Sequence, residues 1–222
     1  MKTKKPTIGI LAGMGPKSTS PFLDLVIEEC QKQYGARNDI DFPHMIIYSL
    51  PTPFYVDKKL NDREMNAAIR KGLQKLAATG VDFIAMPCNI AHKYFENLKT
   101  AIKIPLLNMV DATIQNLPKN SKKVTIFATS ATIEAEIYPK LVLKDAWQKE
   151  VNHLIQGVKK GESQTKLLAI TSRLSKYLKT EKIDTIIIAC TDLTKIAKTM
   201  KGFTIIDSSE ALAEETVKKY LS

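Results

Sequence analysis

Apolar runs of four or five residues alternate along this chain with longer stretches in which apolar side chains recur every third or fourth position. The runs predict buried strands and the longer stretches amphipathic helices. Residues 7–11 read as a first strand, and 12–16 (Ala-Gly-Met-Gly-Pro) as a tight turn. Ser18, Thr19 or Ser20 then caps a helix that carries Phe22, Leu25 and Val26 and runs toward Gly35. Residues 44–50 form the next strand, and Pro51 and Pro53 keep 51–57 in a loop. Asn61 or Asp62 caps a helix to about residue 79, with Met65, Ala68, Ile69, Leu73 and Leu76 on one face and Gly80 at its end.

The apolar run 83–86 is stopped by Pro87 and followed at once by Cys88 and Asn89, then by a helical segment over 91–99. That pattern is a buried parallel strand whose carboxyl end delivers a thiol to the start of a helix. A short strand at 104–107 and a helix at 111–117 follow, and then a linker, 118–122, which is polar and without apolar period. A second unit begins as the first did, with a strand at 124–127, a turn at 128–130 and a helix at 132–141. Helices at 145–157 and 163–180 are parted by Gly161, and the strand 185–189 runs into Cys190, Thr191 and Asp192, with apolar periodicity on to Ile196. A last strand occupies 203–206, and Ser208 opens a closing helix over 210–220 as a capping serine.

Strands alternating with helices predict an α/β fold of two pseudo-symmetric parallel-sheet domains facing each other across a cleft. The first domain is expected to comprise residues 1–117 plus 207–222, and the second 118–206. Cys88 and Cys190, each at a strand-to-helix corner, can then meet only across the cleft.

Composition narrows the function. The 222 residues are 44% hydrophobic and 25% charged, ordinary for a globular protein, and no apolar run is long enough to span a membrane. The basic start leads into an apolar segment too short for a signal peptide, so a cytoplasmic location is expected. The net charge of +10 is spread over lysines along the whole length, with few aromatics beside them, which argues against nucleic acid as a partner. A lysine-rich surface that draws in anionic substrates is the simpler account. With three cysteines and three histidines, no disulfide framework, Cys-x-x-Cys motif or metal site is indicated. Cys30 lies in the first helix as packing. His92, four residues past Cys88, fits a packing role and a supporting role for the thiol equally. The turn Gly13-Met-Gly15-Pro16-Lys17 matches neither a Walker loop nor a dinucleotide fingerprint, because Pro16 precedes the lysine and a third glycine is missing.

Residues 8–16 (Ile-Gly-Ile-Leu-Ala-Gly-Met-Gly-Pro), 87–92 (Pro-Cys-Asn-Ile-Ala-His) and 190–192 (Cys-Thr-Asp) together resemble the aspartate/glutamate racemase family, nearest to its aspartate racemases. The likeness runs from the opening strand to Asp207. It implies catalysis without a cofactor or metal, a small-molecule amino-acid substrate (aspartate or glutamate), a homodimer, and Cys88 and Cys190 as the acid–base pair. Ile90 stands where the family commonly has threonine, Ala189 where it has glycine, and Asp192 where it has glutamate. The loop after the second strand, where the family often carries an arginine, offers Lys58, a point charge rather than a planar fork.

Inversion at an α-carbon requires a base on one face and an acid on the other, so a thiolate and a thiol must flank one small substrate. Helix-start amides and hydrogen bonds from Asn89 and Thr191 are expected to lower a thiol pKa toward working pH. Gly13, Met14, Ser130 and Thr132, from the opening turns of the two halves, are expected to line the cleft with Thr52, Asn89, Ile90 and Thr191, and Lys149 to supply a cation. Interconversion of L- and D-aspartate is the leading expectation. A glutamate or broad-specificity racemase, and a non-catalytic amino-acid binder, are the alternatives.

Overall fold

The computed structural model describes residues 5–55, 59–138 and 144–222. Strands β1 (Ile8–Ala12), β2 (Met45–Ser49) and β3 (Phe83–Ala85) form a parallel sheet in the order β2-β1-β3. Every residue of β1 is buried, as expected of a central strand covered on both faces. A Cβ at Gly9 would sit 2.9 Å from a Val81 methyl, so glycine lets the sheet and its covering residues approach closely. Strands β4 (Val124–Phe127), β5 (Thr185–Ile188) and β6 (Thr204–Asp207) form a second parallel sheet in the order β4-β5-β6. Two parallel sheets with covering helices make the molecule α/β.

On the first sheet, α1 (Thr19–Tyr34) covers one face and α2 (Asp62–Ala77) the other. The α2 cap is Asn61, which accepts the Glu64 amide at 3.2 Å, and α1 stops at Gly35 in the left-handed region. The short helices α3 (Phe95–Lys99), α4 (Met109–Gln115) and α5 (Ser130–Glu134) lie around the strand ends. The second sheet is covered on one face by α6 (Asp145–Lys160) and α7 (Gln164–Thr180), whose Trp147, Val151, Leu154, Leu174 and Leu178 pack on Phe127, Ile186 and Ile188. Each such side chain, fully buried, contributes about 1.5–3 kcal/mol. After α8 (Thr194–Ala197) and β6, α9 (Ser208–Leu221) leaves the second sheet and packs on α1 and α4, placing Leu212, Ala213, Val217 and Tyr220 in the first core.

Four expectations are corrected. The strand at 104–107 is a single parallel bridge from Leu106 to Ile84, flanked by bonds from the Ile84 amide to Pro105 O and from the Leu107 amide to Ile84 O. Pro105 has no N–H to extend the ladder. The segments after Cys88 and Cys190 open as tight 3₁₀ turns, Ile90–Tyr94 and Thr191–Leu193, before any α-helix begins. The cap of α9 is Asp207 rather than Ser208: its carboxylate accepts the amides of Ser209 and Glu210. The predicted helix at 132–141 is shortened to α5, which starts at Ser130 because Thr129 caps it and ends at Glu134; residues 135–138 are not helical, and 139–141 lie outside the described residues.

Candidate active site

The carboxyl ends of both sheets open on one cavity of about 450 Å³. From the first sheet, Gly13, Met14, Gly15 and Pro16 reach it after β1, Ser49, Pro51, Thr52 and Phe54 after β2, and Cys88, Asn89 and Ile90 after β3. From the second come Thr129 and Thr132 after β4, and Ala189, Cys190, Thr191 and Asp192 after β5. Ligands of open α/β sheets bind at such strand ends. Gly13, at φ +89, allows the turn over β2, where a Cβ would lie 2.6 Å from the Leu50 nitrogen.

The backbone of Cys88 is held at both its amide and its carbonyl. Its amide donates to Met86 O at 2.8 Å, which folds the chain past Pro87. His92 Nε2 accepts the Met109 amide at 3.0 Å, so the ring proton sits on Nδ1 and donates to Cys88 O at 2.9 Å. Burial keeps His92 below its ordinary pKa, hence neutral. His92 thus supports the thiol through the backbone, tying its corner to the start of α4.

Both thiols are raised above their ordinary pKa, against the lowering expected from helix-start amides. Burial pushes Cys88 to about 11; the Ala91 amide, Lys159 and the Ile90 amide pull it down, and the Asp192 carboxylate pushes it up. Cys190, partly exposed, is pushed to about 12 by burial and by Asp192, against the Asp192 amide and Lys159. Helix-start amides do reach the thiols, but desolvation outweighs them, and the Asn89 side-chain amide donates to Ser208 rather than to a thiol. Cys88 also raises Cys190, so the two sulfurs share one electrostatic site.

Lys159 and Asp192 are the charged residues among the described lining, and they pair with each other at 2.7 Å. Burial is the largest influence on Lys159 and opposes its charge, but the hydrogen bond and charge of Asp192, joined by Cys190 and Cys88, together outweigh it and hold its pKa above the ordinary value. Gly15 lies directly over the pair: a Cβ there would be 3.0 Å from Lys159 Nζ.

Of the residues expected in the cleft, Gly13, Met14, Thr52, Asn89, Ile90, Thr132 and Thr191 line the cavity with the two cysteines. Ser130 does not; its hydroxyl accepts from Asn152 Nδ2 at 2.9 Å. Lys149 lies exposed on the outer face of α6 and is replaced at the cavity by Lys159. Lys58 falls outside the described residues. Lys159 was legible in principle, since it continues the buried i, i+4 series Val151–Ile155, where a lysine is out of place unless it is used. Among the described residues, no group of three or more His, Cys, Asp or Glu side chains is placed to hold a metal, and no helix is long and apolar enough to cross a membrane.

Two facing parallel sheets with a thiol at each strand end define a class that sequence comparison identifies. Residues 11–216 match the Asp/Glu/Hydantoin racemase family; the chain belongs to that family and is an isomerase. The broad specificity amino-acid racemase RacX of Bacillus subtilis (strain 168) is 47% identical over 224 residues, 97% of this chain and 98% of that one. The glutamate racemase of Aquifex pyrophilus is 31% identical over 150 residues, 60% of this chain and 57% of its own length. Among solved structures, the aspartate racemase of Picrophilus torridus matches with a TM-score of 0.77 and 28% identity, covering 97% of this chain and 94% of that one.

Proposed function

We propose that the protein racemises amino acids by acid–base exchange between Cys88 and Cys190, without a cofactor, and that it accepts more than one class of side chain. The observation that carries the reading is the convergence of these two thiols, from facing sheets, on a single cavity. One sulfur, as thiolate, removes the α-proton; the other, as thiol, delivers a proton to the opposite face of the planar carbanion. The product leaves with the protonation states exchanged, so the reverse reaction begins from the complementary state. With raised pKa values, both sulfurs favour the thiol. The ammonium group of a bound amino acid, together with Lys159, supplies the positive charge that favours one thiolate.

Broad specificity is supported by the apolar part of the lining, which includes Met14, Phe54, Met65 and Ile90, by the engagement of Lys159 with Asp192, and by the 47% identity to a broad-specificity racemase. Aspartate is the second reading, supported by the Picrophilus torridus aspartate racemase and by Lys159 as a cation at the cavity. A homodimer, and a domain division with crossings near 118 and 207, belong to the same proposal; sedimentation and limited proteolysis test them.

The deciding experiment follows α-deuterium uptake and enantiomer formation in D₂O, with nothing added, for L-aspartate, L-glutamate, L-methionine and L-lysine. Wild type is expected to invert several of the four, and the Cys88→Ser and Cys190→Ser variants to lose about 10³-fold or more. Inversion confined to aspartate would establish the second reading. Wild-type rates in either cysteine variant would refute the two-thiol mechanism.

A further inference from the structure

A directed run of hydrogen bonds crosses the molecule behind the cavity. Ser208 Oγ lies 2.7 Å from Ile188 O, and a carbonyl only accepts, so the serine proton points to Ile188. The same Oγ lies 2.9 Å from Asn89 Nδ2 and must therefore accept from it. That orients the amide, leaving Asn89 Oδ1 to accept from the Tyr138 hydroxyl. The run is Tyr138 to Asn89 to Ser208 to Ile188, and all four residues are buried. Asn89 follows Cys88 directly, at the end of the first sheet. Ile188 ends β5, two residues before Cys190 in the second. One serine hydroxyl thus joins the two corners that present the two thiols.

Resting on the two-thiol reading, we propose that Ser208 is a positioning residue that sets the separation of Cys88 and Cys190 across the substrate. It touches neither thiol nor cavity; it acts through Asn89 on one side and the β5 backbone on the other. A polar joint of this kind suits the task. It is short, directional and buried, so a change of register costs a buried unpaired group on each side. Apolar packing between the sheets would tolerate sliding that a carbonyl–hydroxyl–amide joint does not. Two-base inversion is sensitive to such sliding. When the acid on the far face is displaced, the carbanion is reprotonated from the face it left, and the thiol there has meanwhile exchanged with solvent.

The test compares wild type, Ser208→Ala and Ser208→Thr, with Cys88→Ser and Cys190→Ser beside them, on the fastest of the four L-amino acids named above. Deuterium uptake with retention and with inversion is measured together with kcat and KM. Ser208→Ala is expected to lower kcat for inversion by about tenfold or more, with KM changed by less than about threefold, and to raise the ratio of exchange to inversion. Ser208→Thr, which keeps the hydroxyl, is expected to keep the wild-type ratio. Equal loss of exchange and inversion in Ser208→Ala, or no change in either, would overturn the proposal. If Ser208→Ala does not fold, Tyr138→Phe loosens the outer end of the same run and is expected to raise the ratio by a smaller factor; an unchanged ratio there would also overturn it. If the cysteine variants racemise at the wild-type rate, the two-thiol reading and this inference fall together. If they are inactive while Ser208→Ala behaves as wild type, this inference alone falls.

Discussion

Asp192→Asn is expected to lower the pKa of both cavity thiols. The Asp192 carboxylate ranks just after burial among the causes that raise Cys190 to about 12, and it also raises Cys88. At pH 8 a thiol with a pKa near 12 is ionised in roughly one molecule in ten thousand, a penalty of about 5 kcal/mol at 1.36 kcal/mol per unit. Asparagine keeps the backbone amide that donates to Cys190 and nearly the same shape, while the negative charge is lost. It also frees Lys159, which already pulls both thiols down, so the two changes act in the same direction. Removing one neighbouring like charge is expected to lower the pKa by roughly one unit, which makes alkylation at a fixed pH about tenfold faster. The assay is iodoacetamide modification of Cys190 from pH 7 to 11, followed by peptide mass spectrometry. A faster rate alone could reflect easier access, so the decisive quantity is where the log rate departs from unit slope against pH. In the variant it should bend by pH 11, while wild type stays on the unit slope throughout. No bend in the variant by pH 11 would refute the assignment of Asp192 as the main charge acting on the thiols.

Because both thiols sit above their ordinary pKa, kcat/KM is expected to climb through pH 7 to 9, and a plateau already reached at pH 7 would contradict this. Asp207 is raised from 3.8 to about 6, by burial and then by Glu210. Its contribution to stability is therefore complete below about pH 4 and is lost as pH rises through 6, a change of up to about 3 kcal/mol. Asp207→Asn keeps the cap without the charge, so urea titrations should find it more stable than wild type at pH 7 and about equal at pH 4; equal differences at both would exclude the charge as the cause. His92→Phe keeps the stacking on Phe95 but leaves Cys88 O and the Met109 amide buried and unpaired, which is expected to cost about 2–4 kcal/mol in urea unfolding.

Local patterning carried the strands and the two thiol corners because a buried parallel strand is a short apolar run and its end is marked by residues that break it. Pro87 ends one such run, and Cys190 with Thr191 and Asp192 ends the other. What local patterning could not carry is pairing at a distance. Residues 104–107 have a strand's composition, yet Pro105 limits them to one bridge. Ser208 reads as a cap at its own helix, whereas Asp207 caps and Ser208 bonds Asn89 and Ile188, both remote in sequence. Lys149 and Lys159 lie on the same helix, and only the direction of its buried stripe distinguishes the outward lysine from the inward one. The thiol pKa values move opposite to the sequence expectation for a related reason: helix-start amides are local and visible in sequence, while the depth of burial is a property of the finished fold.

The return of α9 to the first core has a consequence for the order in which the molecule is made. Phe22, Leu25 and Val26 of α1 are completed by Leu212, Ala213 and Val217, which leave the ribosome only after the entire second sheet. The first half of the chain must therefore wait, with an apolar helix face uncovered, while the second half is synthesised. Contacts this distant in sequence slow folding, and a face left open invites association in the interval. The same arrangement ensures that the Cys88 corner is locked through Ser208 only when β5 and Cys190 are already in place, so that the two halves of the cavity become rigid together.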